Sequence, residues 1–137
     1  MKNIRALIMI AAIVLAVGIA VMAFAESKMF TLLDNATAGD NTTINIPYKV
    51  YQNWACEVKI SGHPDNATIF LGGNVSGGDD YGSFGNDIYT QLPRYALDSG
   101  FYIFSIQNRP VKTIHAEVAS MSGGVNPRMS MVCLGVE

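Results

Sequence analysis

Charge is scarce in this chain of 137 residues: 15% of them are charged, and the formal balance is −2. The Lys and Arg residues are scattered, with no run of like sign. The sequence therefore offers no electrostatic footprint for nucleic acid and no basic stripe for an anionic membrane surface. Histidine is limited to His63 and His115, and cysteine to Cys56 and Cys133. None of these stands at the paired ligand spacing of a zinc site, so no metal centre is expected from them. No serine occupies a G-x-S-x-G elbow, and no nucleophile–base pair or pair of acids stands at a recognisable spacing; the expectation is a protein that is not an enzyme. Helical periodicity is missing after Lys28, and with it the crossover helices that a parallel α/β fold needs.

What is present begins at the N-terminus. Lys2 and Arg5 precede an uncharged apolar or small-residue run over residues 6–25, which ends in Ala23-Phe24-Ala25, the small-x-small pattern a signal peptidase accepts. At about 20 residues the run also has the length of a helix that crosses the ~30 Å hydrocarbon core of a bilayer. Two outcomes stand open: residues 1–25 are a signal peptide removed after Ala25, or an N-terminal hydrophobic helix retained as a membrane anchor. The basic residues ahead of the run put everything after it outside the cytoplasm in both cases. The expected location is exported: secreted, surface-exposed, membrane-anchored through residues 6–25, or in a virion. Without Lys2 and Arg5 the formal charge moves from −2 to −4.

Residues 26–137 suffice for one domain with one core. They are rich in Gly, Asn, Ser and Thr with moderate Val, Ile, Phe and Tyr, the composition of an all-β domain with polar turns. The runs MFTLL, TTINI, ACEVKIS, ATIFLGG, GFYIFSI, VKTIHAEVAS and MSMVCLGV read as strands, with IYT as a short edge strand and GFYIFSI as a buried one. Residues 94–100 are the one candidate for a helical turn. In VKTIHAEVAS the core set is Lys112, Ile114, Ala116, Val118 and Ser120, and His115 falls on the opposite side, suited to hydrogen bonding. Seven to eight short strands at such spacing predict an antiparallel β-sandwich or jelly roll. Cys56 and Cys133 lie in strand-like stretches of a chain bound for an oxidising compartment. A disulfide between them is the leading expectation, with two buried unpaired thiols as the alternative. Trp54 is expected in the core beside them.

Residues 73–87 are too Gly-rich for regular structure and form the candidate binding loop. Asp79, Asp80 and Asp87, with Asn74 and Asn86, are raw material for a calcium site, although their spacing is not that of an EF-hand. Tyr81 and Phe84, with Tyr89, suit a sugar or a protein partner, or else pack back on the sheet in an Ω-loop. Asn35, Asn41, Asn66 and Asn74 each open an N-x-[ST] sequon in a predicted turn, and would be glycosylated where the host permits it.

The stretches FTLLDNATAGDNTTINI, VKISGHPDNATIFLGGN and GFYIFSIQNRPVKTIHAEVASMSGGVNPRMSMVCLG resemble small β-sandwich virion structural or decoration-type proteins of tailed phages and related bacterial proteins, over residues 29–136. The shared pattern is an LLD-x-A-x-A start, an aromatic strand, an R-x-hydrophobic-x-hydrophobic strand and an S-x-GG turn. The resemblance implies an assembly role without catalysis, the partners being itself or other structural proteins. Residues 1–25 depart from the pattern and suit a virion that contains a membrane, or a cell-surface or filament protein. The alternative is an exported module that binds carbohydrate or a surface partner through the 73–87 loop.

Overall fold

The computed structural model describes residues 26–46, 49–76, 82–83 and 90–137. Its elements are β1 (Ser27–Ala36), β2 (Asn41–Asn45), β3 (Asn53–Ser61), β4 (Asn66–Asn74), β5 (Gly82–Ser83), β6 (Thr90–Gln91), α1 (Arg94–Ser99), β7 (Phe101–Ile106), β8 (Thr113–Ser122) and β9 (Arg128–Val136). One antiparallel sheet, A, runs β1-β9-β3-β7; the other, B, runs β2-β8-β4-β5, with β6 also on β4. The all-β sandwich expectation holds. The N-terminal hydrophobic helix expected over residues 1–25 lies outside the described residues, among which no helix is long and apolar enough to cross a membrane.

Alternation builds the core. In β3, Trp54, Cys56, Val58 and Ile60 are buried while Ala55 and Lys59 are exposed and Glu57 is half-buried; β9 answers with Met129, Met131, Cys133 and Gly135. In β8, Ile114, Ala116 and Val118 are fully buried, as the period-two pattern predicts. Lys112 and Ser120 are corrections, for both are exposed, and at the start of the run Val111 and Thr113 are buried instead. Thr68 pairs with Ser120 and Ile69 with Val118, so Ala119 is an extra residue that switches the faces and turns Met121 toward the core instead. A similar irregularity in β1 lets the consecutive Leu32 and Leu33 both enter the core. β1 therefore continues through Asp34, Asn35 and Ala36, where turn chemistry is expected.

The Cys56–Cys133 disulfide is formed. It joins directly opposed residues of β3 and β9, the two central strands of sheet A. Trp54, two positions along the same face, is buried against Phe30 and Tyr51, each with its ring centroid 5.7 Å or less from a neighbour in the trio. Gly135 lies opposite Trp54 and makes that cluster possible: a Cβ there would stand 2.9 Å from the Tyr51 ring and 3.0 Å from the indole.

β7 departs from the expected buried strand. It is the last strand of sheet A, and its burial alternates, with Phe101, Ile103 and Ser105 exposed and Tyr102, Phe104 and Ile106 half-buried. An all-apolar run reads as doubly buried from periodicity alone; only the strand order reveals the edge. The helical turn is where it was expected, closed by Gly100 at φ 71° with its N–H donating to the Ala96 carbonyl. Arg94 and Asp98 pair along it at 2.9 Å.

The two ends of the described chain meet at one corner of sheet A. Ser27 pairs with Val136, the Glu137 N–H donates to the Glu26 carbonyl at 3.2 Å, and Lys49 contacts both carboxylates. The turns at 37–40, 62–65 and 123–127 lie at the opposite end of the strands.

Candidate functional site

The five side chains read as a binding site, Asp79, Asp80, Tyr81, Phe84 and Asp87, lie outside the described residues. The base of their loop is described. Gly72 and Gly73 of β4 pair with Ser83 and Gly82, and a recess of about 360 Å³ opens between Asn74, Val75, Asn108 and Arg109. Among the described residues no three His, Cys, Asp or Glu side chains group as metal ligands. Of the sequon asparagines, Asn35, Asn41 and Asn66 are exposed, and Asn74 is half-buried at the end of β4. Asn35 sits on β1 rather than in a turn, at φ 52°, its N–H donating to Ser130 Oγ at 3.0 Å. His115 has a hydrogen-bonding role: its Nδ1 lies 2.8 Å from Thr43 Oγ1 across the β2–β8 pair. Burial holds its imidazole below the usual histidine range, partly countered by the Glu117 charge.

The feature that sequence reasoning missed is the outer face of sheet A. Strand register lays Met29, Leu134, Ala55 and Ser105 in one row across all four strands. The next row is Thr31, Val132, Glu57 and Ile103, and beyond it Ser130, Lys59 and Phe101 lie side by side. Met29 is 69% exposed, Ile103 60%, Phe101 41% and Leu134 36%. These are most of the large apolar side chains exposed among the described residues, and they share one face. Within these rows the charges, Glu57 and Lys59, pair with each other at 3.0 Å, and Arg128 follows on the same face beside Ser61. A shallow trough of about 440 Å³ runs among Met29, Ala55, Ile103, Val132 and Leu134. Contiguous apolar surface of this kind marks a contact site more often than scattered single residues do.

No protein-family model and no curated protein sequence matches the chain. Solved structures do match its fold. The SPBc2 prophage-derived protein YomS aligns with a TM-score of 0.54 and 15% identity, over 85% of this chain and 98% of that one. The xylan-binding module CBM86 of Roseburia intestinalis aligns at 0.43 and 14% identity, over 82% and 95% of the two chains. The capsid of Ralstonia phage GP4 aligns at 0.39 and 11% identity, over 83% and 84%. The resemblance to phage-associated proteins therefore has a counterpart at the level of fold, in YomS.

Proposed function

We propose that this protein is an exported, non-catalytic structural subunit that works through protein–protein contacts of its β-sandwich, as a component of a virion, filament or cell surface. The observation that carries the reading is the exposed apolar face of sheet A. Its four large hydrophobic side chains come from three strands, and the charges among them, Glu57 and Lys59, pair with each other. Such a face loses apolar area to water until something covers it, at about 25 cal/mol per Å².

Leu134→Asp combined with Met29→Asp puts two charges in the middle of the stripe. The native mass of the doubly substituted protein is expected to fall below that of the wild type while its fold is kept, since exposed substitutions change chain stability by about 0.5 kcal/mol or less. Equal native masses for the two proteins would sink the reading.

A second reading is favoured by the recess at the base of the 73–87 loop, where Asn74, Asn108 and Arg109 offer polar groups beside apolar Val75. In it the loop binds carbohydrate or a surface partner through Tyr81 and Phe84, with Asp79, Asp80 and Asp87 available to calcium. Tyr81→Ala or Phe84→Ala is then expected to lower polysaccharide affinity about tenfold or more with the fold intact. Retained binding by both variants would remove this reading.

A further inference from the structure

We propose that the open edge of sheet A pairs with itself: β7 takes the β7 of a second copy, antiparallel, about a two-fold axis that passes beside Phe104. This rests on the assembly reading above and names its partner.

Backbone parity is the first ground. In an antiparallel pair, successive residues alternately aim their N–H and C=O at the neighbouring strand and away from it. Cys56 and Cys133 face each other with Cα atoms 4.1 Å apart, the close spacing of a pair without mutual hydrogen bonds. Cys56 therefore turns its backbone groups to the other side, toward Phe104. The same parity appears where the Ile60 N–H donates to the Gly100 carbonyl at 2.8 Å. Tyr102, Phe104 and Ile106 thus bond to β3, while Phe101, Ile103 and Ser105 direct their groups outward. At Phe101 both are satisfied by the Ser99 hydroxyl, which accepts from its N–H at 3.3 Å and donates to its carbonyl at 3.1 Å. Four outward groups remain, the N–H and C=O of Ile103 and of Ser105, with no partner among the described residues.

The second ground is what β7 lacks. Sheet edges are ordinarily protected by charge, proline, a bulge or a covering element. β7 contains no charged residue and no proline, and its register with β3 is unbroken. The other edge of sheet A is guarded: β1 carries Lys28 and Asp34, has two irregularities and lies against β2.

Third, the four groups are self-complementary. Two outward residues spaced two apart satisfy each other across a two-fold axis in one register, Ile103 facing Ser105 and Ser105 facing Ile103, with four backbone hydrogen bonds. Phe104 then lies opposite its own copy. The apolar outer rows run on into the second sheet.

The test is single-cysteine cross-linking of the full chain in the cells that export it, read on non-reducing gels. The described cysteines are already bonded to each other, so the introduced thiol is the reporter. Phe104→Cys is expected to give a dimer of twice the chain mass, because the facing positions have the same relation as Cys56 and Cys133. Ile103→Cys and Ser105→Cys are expected to stay monomeric, each thiol lying about 7–8 Å along the diagonal from its own copy, past the reach of a disulfide. Equal dimer yield at all three positions, or dimer at none of them, overturns the proposal. If Leu134→Cys or Met29→Cys cross-links while Phe104→Cys does not, the edge pairing fails and the assembly reading survives. Monomers at every position together with a monomeric native mass end both. Should Phe104→Cys not fold, Ser105→Pro removes one outward N–H and leaves the bonds to β3 intact. It is expected to halve the native mass, and an unchanged mass overturns the pairing.

Discussion

Replacing both Cys56 and Cys133 by alanine is expected to lower the unfolding free energy by about 4 kcal/mol, the chain-entropy value for a loop of this length. The two residues are 77 apart in sequence, so the bond removes many open conformations from the unfolded chain. For a domain of this size such a loss shifts the melting temperature down by about 15 °C or more, measured by circular dichroism on the doubly substituted protein. A fall of less than about 3 °C would mean that the cross-link adds little to what the sheet already provides. The bond ties two central strands of one sheet and leaves the union of sheets A and B to apolar packing. Its removal should therefore loosen sheet A before it separates the layers.

Trp54→Ala is expected to cost about 3–5 kcal/mol, the range for truncating a buried aromatic side chain. The indole is 2% exposed, contacts Phe30 and Tyr51, and its Nε1–H donates to the Arg109 carbonyl at 3.4 Å. Gly135 supplies the space it occupies. Gly135→Ala alone should cost about 1–3 kcal/mol by overpacking. In a Trp54→Ala background the same change should cost less, because the indole contact is gone and Tyr51 has room to shift. Chemical denaturation of the four proteins checks this coupling, and strict additivity would refute the account of Gly135.

Much of the fold was legible because period-two alternation is a local signal. Ile114, Ala116 and Val118 announce the inner face of β8, and the 94–100 turn is marked by the Gly that ends it. Ser120 was not legible, since a bulge at Ala119 is defined by the partner strand and leaves no mark in the alternating run. Nor was the position of β7, because Phe101, Tyr102, Ile103 and Phe104 are apolar on both faces and carry no sign of which side meets water. The candidate interface was the least legible part. Met29, Ala55, Ile103 and Leu134 come from four separate stretches, each looks like an ordinary strand residue, and only the register of β1, β9, β3 and β7 sets them side by side.

The meeting of the two chain ends at one corner of sheet A bears on what happens to residues 1–25. A two-fold axis beside Phe104 reverses the strand direction, so the corner that holds Glu26 in one copy points away from that of the other. Only Glu26 separates Ala25 from the start of β1, which leaves almost no tether. Two copies rooted in the same bilayer by residues 6–25 could not then stand upright and join edge to edge. In that pose the proposed pairing at β7 and anchorage of both copies through residues 6–25 would exclude each other. Were residues 1–25 removed after Ala25, that restraint would go with them.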